Sequence, residues 1–184
     1  RELTGGRALR GIHAVDDPRA AVQEAAGLFV GGGNTFRLLH TLQRLDLLDP
    51  IRDAVQQGLP YAGVSAGTNV ACPTIQTTND MPIVMPRSFD ALGLVDFQIN
   101  PHYVHGSVYA RHGETFVQHH GETRADRIRE YHEMNDRPVF GLPEGTFLWV
   151  EDGTVELVGA PGLLFEPGRE PVEMPPGPVA ALST

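Results

Sequence analysis

Gly63-Val64-Ser65-Ala66-Gly67 is a G-x-S-x-G pentapeptide. A serine so placed is a nucleophile when it sits on a tight strand-to-helix turn, because flanking glycines let the backbone fold back and push the hydroxyl outward. The helix after it stabilises negative charge developing at its N-terminus. The same five residues read equally well as a plain turn with a capping serine. A serine hydroxyl is a weak nucleophile and needs a base, itself oriented by a third group. Of the 8 histidines, His102 stands out, in Ile99-Asn100-Pro101-His102-Tyr103 just past a strand candidate at residues 97–99. Its competing reading is an ordinary loop histidine. Glu144, in Gly141-Leu142-Pro143-Glu144-Gly145, comes after another strand candidate. A carboxylate on so rigid a backbone could orient an imidazole, or it is a solvated turn residue. The last 52 residues hold no histidine, which argues against the α/β-hydrolase order of serine, acid and late histidine.

Gly31-Gly32-Gly33 lies between a strand candidate and a helix candidate. Its N–H groups could cradle a phosphate or donate to an oxyanion. Phe36 stands where a third glycine of G-x-G-x-x-G would be, so a dinucleotide site is not supported. His112, His119 and His120 sit near Glu114 and Glu122, but no ligand spacing on a rigid element holds them, so no metal site is expected. A lone cysteine, Cys72, forms no internal disulfide and no four-thiolate zinc site; it is expected to pack as a small apolar residue.

These groups need a scaffold. Residues 11–15 are a short strand candidate. Asp17-Pro18 then reads as a cap with proline at the first helical position. The helix should continue over residues 20–26 and end at a left-handed Gly27. Leu28-Phe29-Val30 suits a buried parallel strand. Phe36, Leu39 and Leu42 mark one helix face, and Asp49-Pro50 repeats the cap-then-proline signal before Gly58. Tyr61 to Val64 is a strand running straight into Ser65. This alternation predicts an α/β fold with a parallel sheet covered by helices on both faces. Further on, Thr123 caps a helix to Met134 with Ile128, Tyr131 and Met134 on one face, and residues 139–142 form a buried strand. Asp152-Gly153 joins a hairpin, and a second hairpin turns at Pro167-Gly168. The tail over residues 170–178 reads as extended and loose. His112-Gly113-Glu114-Thr115 recurs as His120-Gly121-Glu122-Thr123, a small duplication suited to a surface loop.

The chain of 184 residues is long enough for one domain burying roughly 70% of its unfolded surface. Its 41% apolar and 20% charged residues exclude a disordered chain. The 21 glycines and 15 prolines exceed average usage and must sit in turns. A net charge of −9 argues against nonspecific binding of nucleic acid or anionic lipid. No apolar run approaches the ~18 residues of a membrane span. No charged-then-apolar leader is visible, and a cytoplasmic location is expected.

Together the pieces resemble the peptidase E family of serine-type α-aspartyl dipeptidases. The matching stretches are residues 30–36, 63–69, 72–75 with 77–82, then 99–102, 121–124 and 141–145. The resemblance covers the chain from about Gly11 to the C-terminal hairpins. It implies Ser65 as nucleophile, His102 as general base and Glu144 as third triad member, with Asp80 as runner-up acid. The N–H groups of Gly33 and Ala66 would form the oxyanion hole. It implies substrates with an N-terminal aspartate, the side chain bound by Arg124 and the ammonium by Asp80, with Asn34 also at the substrate. No metal or organic cofactor is implied, and the partner is a short peptide, not nucleic acid or membrane; a homodimer is admitted. The implied fold is α/β, mainly parallel and similar to class I glutamine amidotransferases, with C-terminal β-hairpins. Family members begin with a further strand–helix–strand portion, so residues 1–184 are expected to be one N-terminally truncated domain. The loop between His102 and Arg124 is longer than the family's. The rivals are a cyanophycinase-like hydrolase of β-aspartyl-arginine peptides and an inactive fragment or non-catalytic anion-binding module.

Overall fold

The computed structural model describes residues 9–106, 109–118 and 120–183. Its first half is built by apolar spacing. Helix α1 (Pro18–Gln23) begins where Asp17 accepts hydrogen bonds from the N–H groups of Arg19 and Ala20. Strand β1 (Leu28–Val30) leads through the glycine loop into α2 (Thr35–Arg44), capped by Asn34. Helix α3 (Leu48–Gln56) comes next, and the chain returns as β2 (Tyr61–Gly63), parallel to β1 with Leu28 opposite Tyr61 and Val30 opposite Gly63. Helix α4 (Ala66–Ala71) starts directly after Ser65. Leu39, Leu42, Leu47, Ile51 and Val70 are buried in one cluster beneath this unit.

The second half carries β3 (Gln98–Pro101), the hairpin β4 (Tyr109–His112) and β5 (Thr115–Gln118), and α5 (Arg124–His132). Next come β6 (Val139–Leu142), β7 (Phe147–Glu151), β8 (Thr154–Val158), β9 (Gly162–Phe165), β10 (Val172–Met174) and β11 (Gly177–Pro178). One sheet runs β10-β9-β6-β3, another β11-β8-β7. Among the described residues, β1 with β2 and β3 with β6 pair in parallel; the remaining strand pairs are antiparallel. Buried Phe97, Ile99, Phe140 and Leu164 of the first sheet share a cluster with Val155 and Leu157 of the second. No described helix is long and apolar enough to cross a membrane.

Several expectations are corrected. Residues 11–15 form no strand: Ile12–Ala14 is a 3-10 turn closed by Ala14 N–H on the Gly11 carbonyl, a local bond in place of a ladder bond. Helix α1 ends at Gln23, and Gly27 is not left-handed. The strand at Leu28–Val30 is only partly buried, with Phe29 61% exposed. Asp49 lies inside the first turn of α3 rather than capping it. Met134 is exposed beyond the end of α5. The tail is not loose: its backbone pairs as β10 with β9 and as β11 with β8. The first His-Gly-Glu-Thr copy forms the turn of β4–β5, whose eight strand residues are all exposed. His119 lies outside the described residues, and no group of acidic, histidine or cysteine side chains suited to a metal occurs among the described ones. Cys72 is fully buried, and burial pushes its thiol up to about 12.

Candidate active site

The turn from β2 into α4 is set by close approach. A Cβ on Gly67 would stand 2.0 Å from the Val30 carbonyl oxygen, and one on Gly63 would stand 2.5 Å from the Gly67 carbonyl oxygen. Only glycine lets β1, β2 and α4 converge this tightly. Between them Ser65 is held at φ 55°, ψ −110°, a sparsely populated conformation that presents the hydroxyl. Tyr61 donates its hydroxyl to the Gly67 carbonyl and Thr68 donates to the Gly63 carbonyl, pinning the turn from both sides.

His102 lies just past β3, also with positive φ (58°). Its Nε2 is 2.8 Å from Ser65 Oγ, and its Nδ1 contacts Glu144 Oε1. Glu144 comes just after β6, which is parallel to β3 with Pro101 opposite Leu142. The parallel register is therefore what delivers histidine and glutamate to the same sheet end. The carboxylate favours the tautomer with the proton on Nδ1, leaving Nε2 to accept from serine. The His102 and Glu144 side chains are 43% and 77% exposed, so the line of three opens to solvent.

The glycine loop flanks the hydroxyl. A Cβ on Gly32 would come 3.2 Å from Ser65 Cβ, and Gly33 has φ +132°, in the region that favours glycine. Among the described residues neither Gly33 N–H nor Ala66 N–H has a protein acceptor. Two free donors beside a serine hydroxyl are what an oxyanion requires.

Asp80 is turned toward this loop rather than toward His102. Its Oδ2 accepts from Thr35 N–H at 2.7 Å and from Thr35 Oγ1 at 2.6 Å. Asn34 is engaged at both ends of its amide: Oδ1 accepts from Arg37 N–H and Nδ2 donates to the Met81 carbonyl. It therefore stitches the glycine loop to the 77–82 segment. Arg124, at the start of α5, donates to Asn79 Oδ1 and Asn100 Oδ1. Burial pushes its guanidinium below the ordinary value, opposed by the Asp80 and Glu144 carboxylates, and it stays charged. Thr123 and Asp126 form the capping box that begins α5, so the second His-Gly-Glu-Thr copy serves to place Arg124. Ser65, Asn69, Thr78, Asn79, Asp80, His102 and Arg124 line one cavity of about 90 Å³.

Sequence reasoning missed Asn69, Asn79, Asn100 and Thr35. For Asn69 a signal existed, since it falls within the first turn or so of the helix that starts directly after Ser65. The others act across 21–45 residues of chain, which no local pattern displays.

A serine hydroxyl, an imidazole and a carboxylate in hydrogen-bonded series beside two free N–H groups define a serine hydrolase constellation. Residues 3–158 match Peptidase family S51. Peptidase E of Streptomyces coelicolor is 51% identical over 170 residues, covering 92% of this chain and 67% of that one. Peptidase E of a Nostoc species is 47% identical over 167 residues, 90% and 66% of the two chains. Peptidase E of Shewanella sp. (strain ANA-3) is 47% identical over 171 residues, 92% and 69%. The chain belongs to peptidase family S51, a family of serine peptidases. It spans about two thirds of the length of the curated relatives it matches.

Proposed function

We propose that this chain carries the catalytic apparatus of a serine dipeptidase that removes an N-terminal aspartate from dipeptides or short peptides. The observation that carries the reading is the placement of His102, with one ring nitrogen on Ser65 Oγ and the other on Glu144.

In this mechanism Ser65 Oγ attacks the carbonyl carbon of the aspartyl residue while His102 Nε2 takes its proton. The tetrahedral oxyanion is held by Gly33 and Ala66 N–H groups. Collapse breaks the C–N bond, His102 returns the proton to the leaving amine, and an acyl-serine ester remains. Water, deprotonated by the same nitrogen, then attacks the ester; the ester C–O bond breaks, aspartate is freed, and His102 returns the proton to Ser65 Oγ. Glu144 keeps the imidazole oriented and balances its charge when protonated. Arg124 binds the aspartyl side-chain carboxylate, a pairing suited to a planar guanidinium fork. Asp80, with Oδ2 committed to Thr35, offers Oδ1 to the α-ammonium group.

The test is hydrolysis of Asp-Leu, Ala-Leu and β-Asp-Arg by this chain and by Ser65→Ala and Arg124→Ala. Cleavage confined to Asp-Leu, abolished by Ser65→Ala, is the expected outcome. Arg124→Ala should erase most of the preference for Asp-Leu over Ala-Leu. A full rate in Ser65→Ala would remove the serine mechanism, and equal cleavage of Asp-Leu and Ala-Leu would remove the aspartate reading.

A further inference from the structure

Asn69 carries a polar atom that the fold leaves without a partner. The residue is 3% exposed, and its Oδ1 has no hydrogen-bond donor among the described residues. A buried amide oxygen without a partner costs stability on the order of 1–3 kcal/mol, so one retained in a native chain calls for a reason, of which a role at the site is one. The amide's orientation is set by its other end: Nδ2 faces the Ser65 carbonyl oxygen at 3.5 Å. Turned about, Asn69 would set oxygen against oxygen.

The location tells which donor is missing. Asn69 lines the same cavity as Ser65, Asp80 and Arg124. It lies in the short helix that starts directly after the nucleophile, with its Nδ2 3.5 Å from the Ser65 carbonyl oxygen. In the substrate proposed above, the α-ammonium group is one carbon from the carbonyl that Ser65 attacks, so its acceptors must lie that close. An ammonium group carries three N–H donors. Asp80 Oδ1, without a protein donor among the described residues, is a second acceptor in the same cavity.

We infer that Asn69 Oδ1 is a specificity-determining acceptor for the substrate's free α-ammonium group, acting with Asp80 while Arg124 binds the side-chain carboxylate. This rests on the reading of the substrate as an N-terminal aspartyl peptide and deepens it. The cavity then selects a chain terminus: an internal peptide nitrogen is uncharged and has one N–H, so it offers these acceptors less than an ammonium group with three.

The test compares two ligands that differ only in that group, Asp-Leu and succinyl-Leu, the latter being Asp-Leu without its amine. Affinities are measured calorimetrically on the non-hydrolysing Ser65→Ala chain, with and without a change at Asn69. Asn69→Leu is expected to weaken Asp-Leu about tenfold or more while moving succinyl-Leu less than about twofold. Asn69→Ser, a smaller polar replacement that withdraws the amide oxygen, should show the same selective loss; this variant decides the matter if the leucine variant does not fold. Equal losses for both ligands mean a structural role and overturn the inference. Unchanged affinities in both variants overturn it as well. No binding of Asp-Leu by the Ser65→Ala chain would overturn it too. The hydrolytic reading fails separately, if the unaltered chain binds Asp-Leu with this discrimination yet releases no leucine.

Discussion

Two carboxylates flank the candidate site, and the fold treats them in opposite ways. Glu144 is 77% exposed, stands on a turn, and its hydrogen-bond partner among the described residues is His102. Asp80 is partly buried, and its Oδ2 accepts twice from Thr35 at the start of α2. An acid that serves a histidine needs one directed bond and can face water. An acid that serves a loop must be fixed in the packing, because its bonds hold the backbone that would bind the oxyanion. The difference separates orienting a base from shaping a pocket.

Breaking each acid should therefore give a different kinetic signature. Glu144→Gln keeps the size but removes the charge that balances an imidazolium, and it can stabilise the wrong tautomer. A fall of about 10²- to 10⁴-fold in kcat on Asp-Leu with little change in KM is expected. A KM-only effect would exchange the roles of the two acids. Asp80→Asn should act mainly on KM, raising it roughly tenfold as a charged acceptor is lost; a kcat collapse as deep as that of Glu144→Gln would make Asp80 the histidine's partner. Thr123→Ala removes the cap that starts α5 and places Arg124. It should cost about 1 kcal/mol of stability and lower Tm by a few degrees, as read by thermal unfolding. The smallest effect belongs to Cys72, whose thiol burial pushes up to about 12. Iodoacetamide at roughly the ordinary thiol pKa, about pH 8.5, should leave it unmodified in the native chain and alkylate it in guanidinium, with mass as the readout.

The same contrast explains what the sequence disclosed. Ser65, His102 and Glu144 each stand at a strand end bracketed by glycine or proline, and such local signals can be read singly. The β2–α4 turn and the Asp152-Gly153 hairpin have the same local character, with φ of 47° and 75° at the hairpin turn. What stayed hidden depends on neighbours distant in sequence. Residues 11–15 carry a strand-like pattern but pair with no strand among the described residues, and they close a local turn instead. The proline-rich tail pairs because β8 and β9 offer edges. The two His-Gly-Glu-Thr copies are identical, and their different folds come from the residues after them. Phe116 continues the first into an exposed strand. Arg124, Asp126 and the buried Ile128 and Tyr131 turn the second into a helix start beside the site.

The central claim is that Ser65 is the nucleophile, activated by His102. The most direct measurement treats the native chain with a fluorophosphonate, which phosphonylates an activated serine, and locates the added mass by peptide sequencing. The account predicts one adduct, on Ser65, forming in step with loss of Asp-Leu hydrolysis and absent from His102→Ala. A chain that hydrolyses Asp-Leu yet takes no adduct at Ser65, or takes it on another residue as activity is lost, would contradict it.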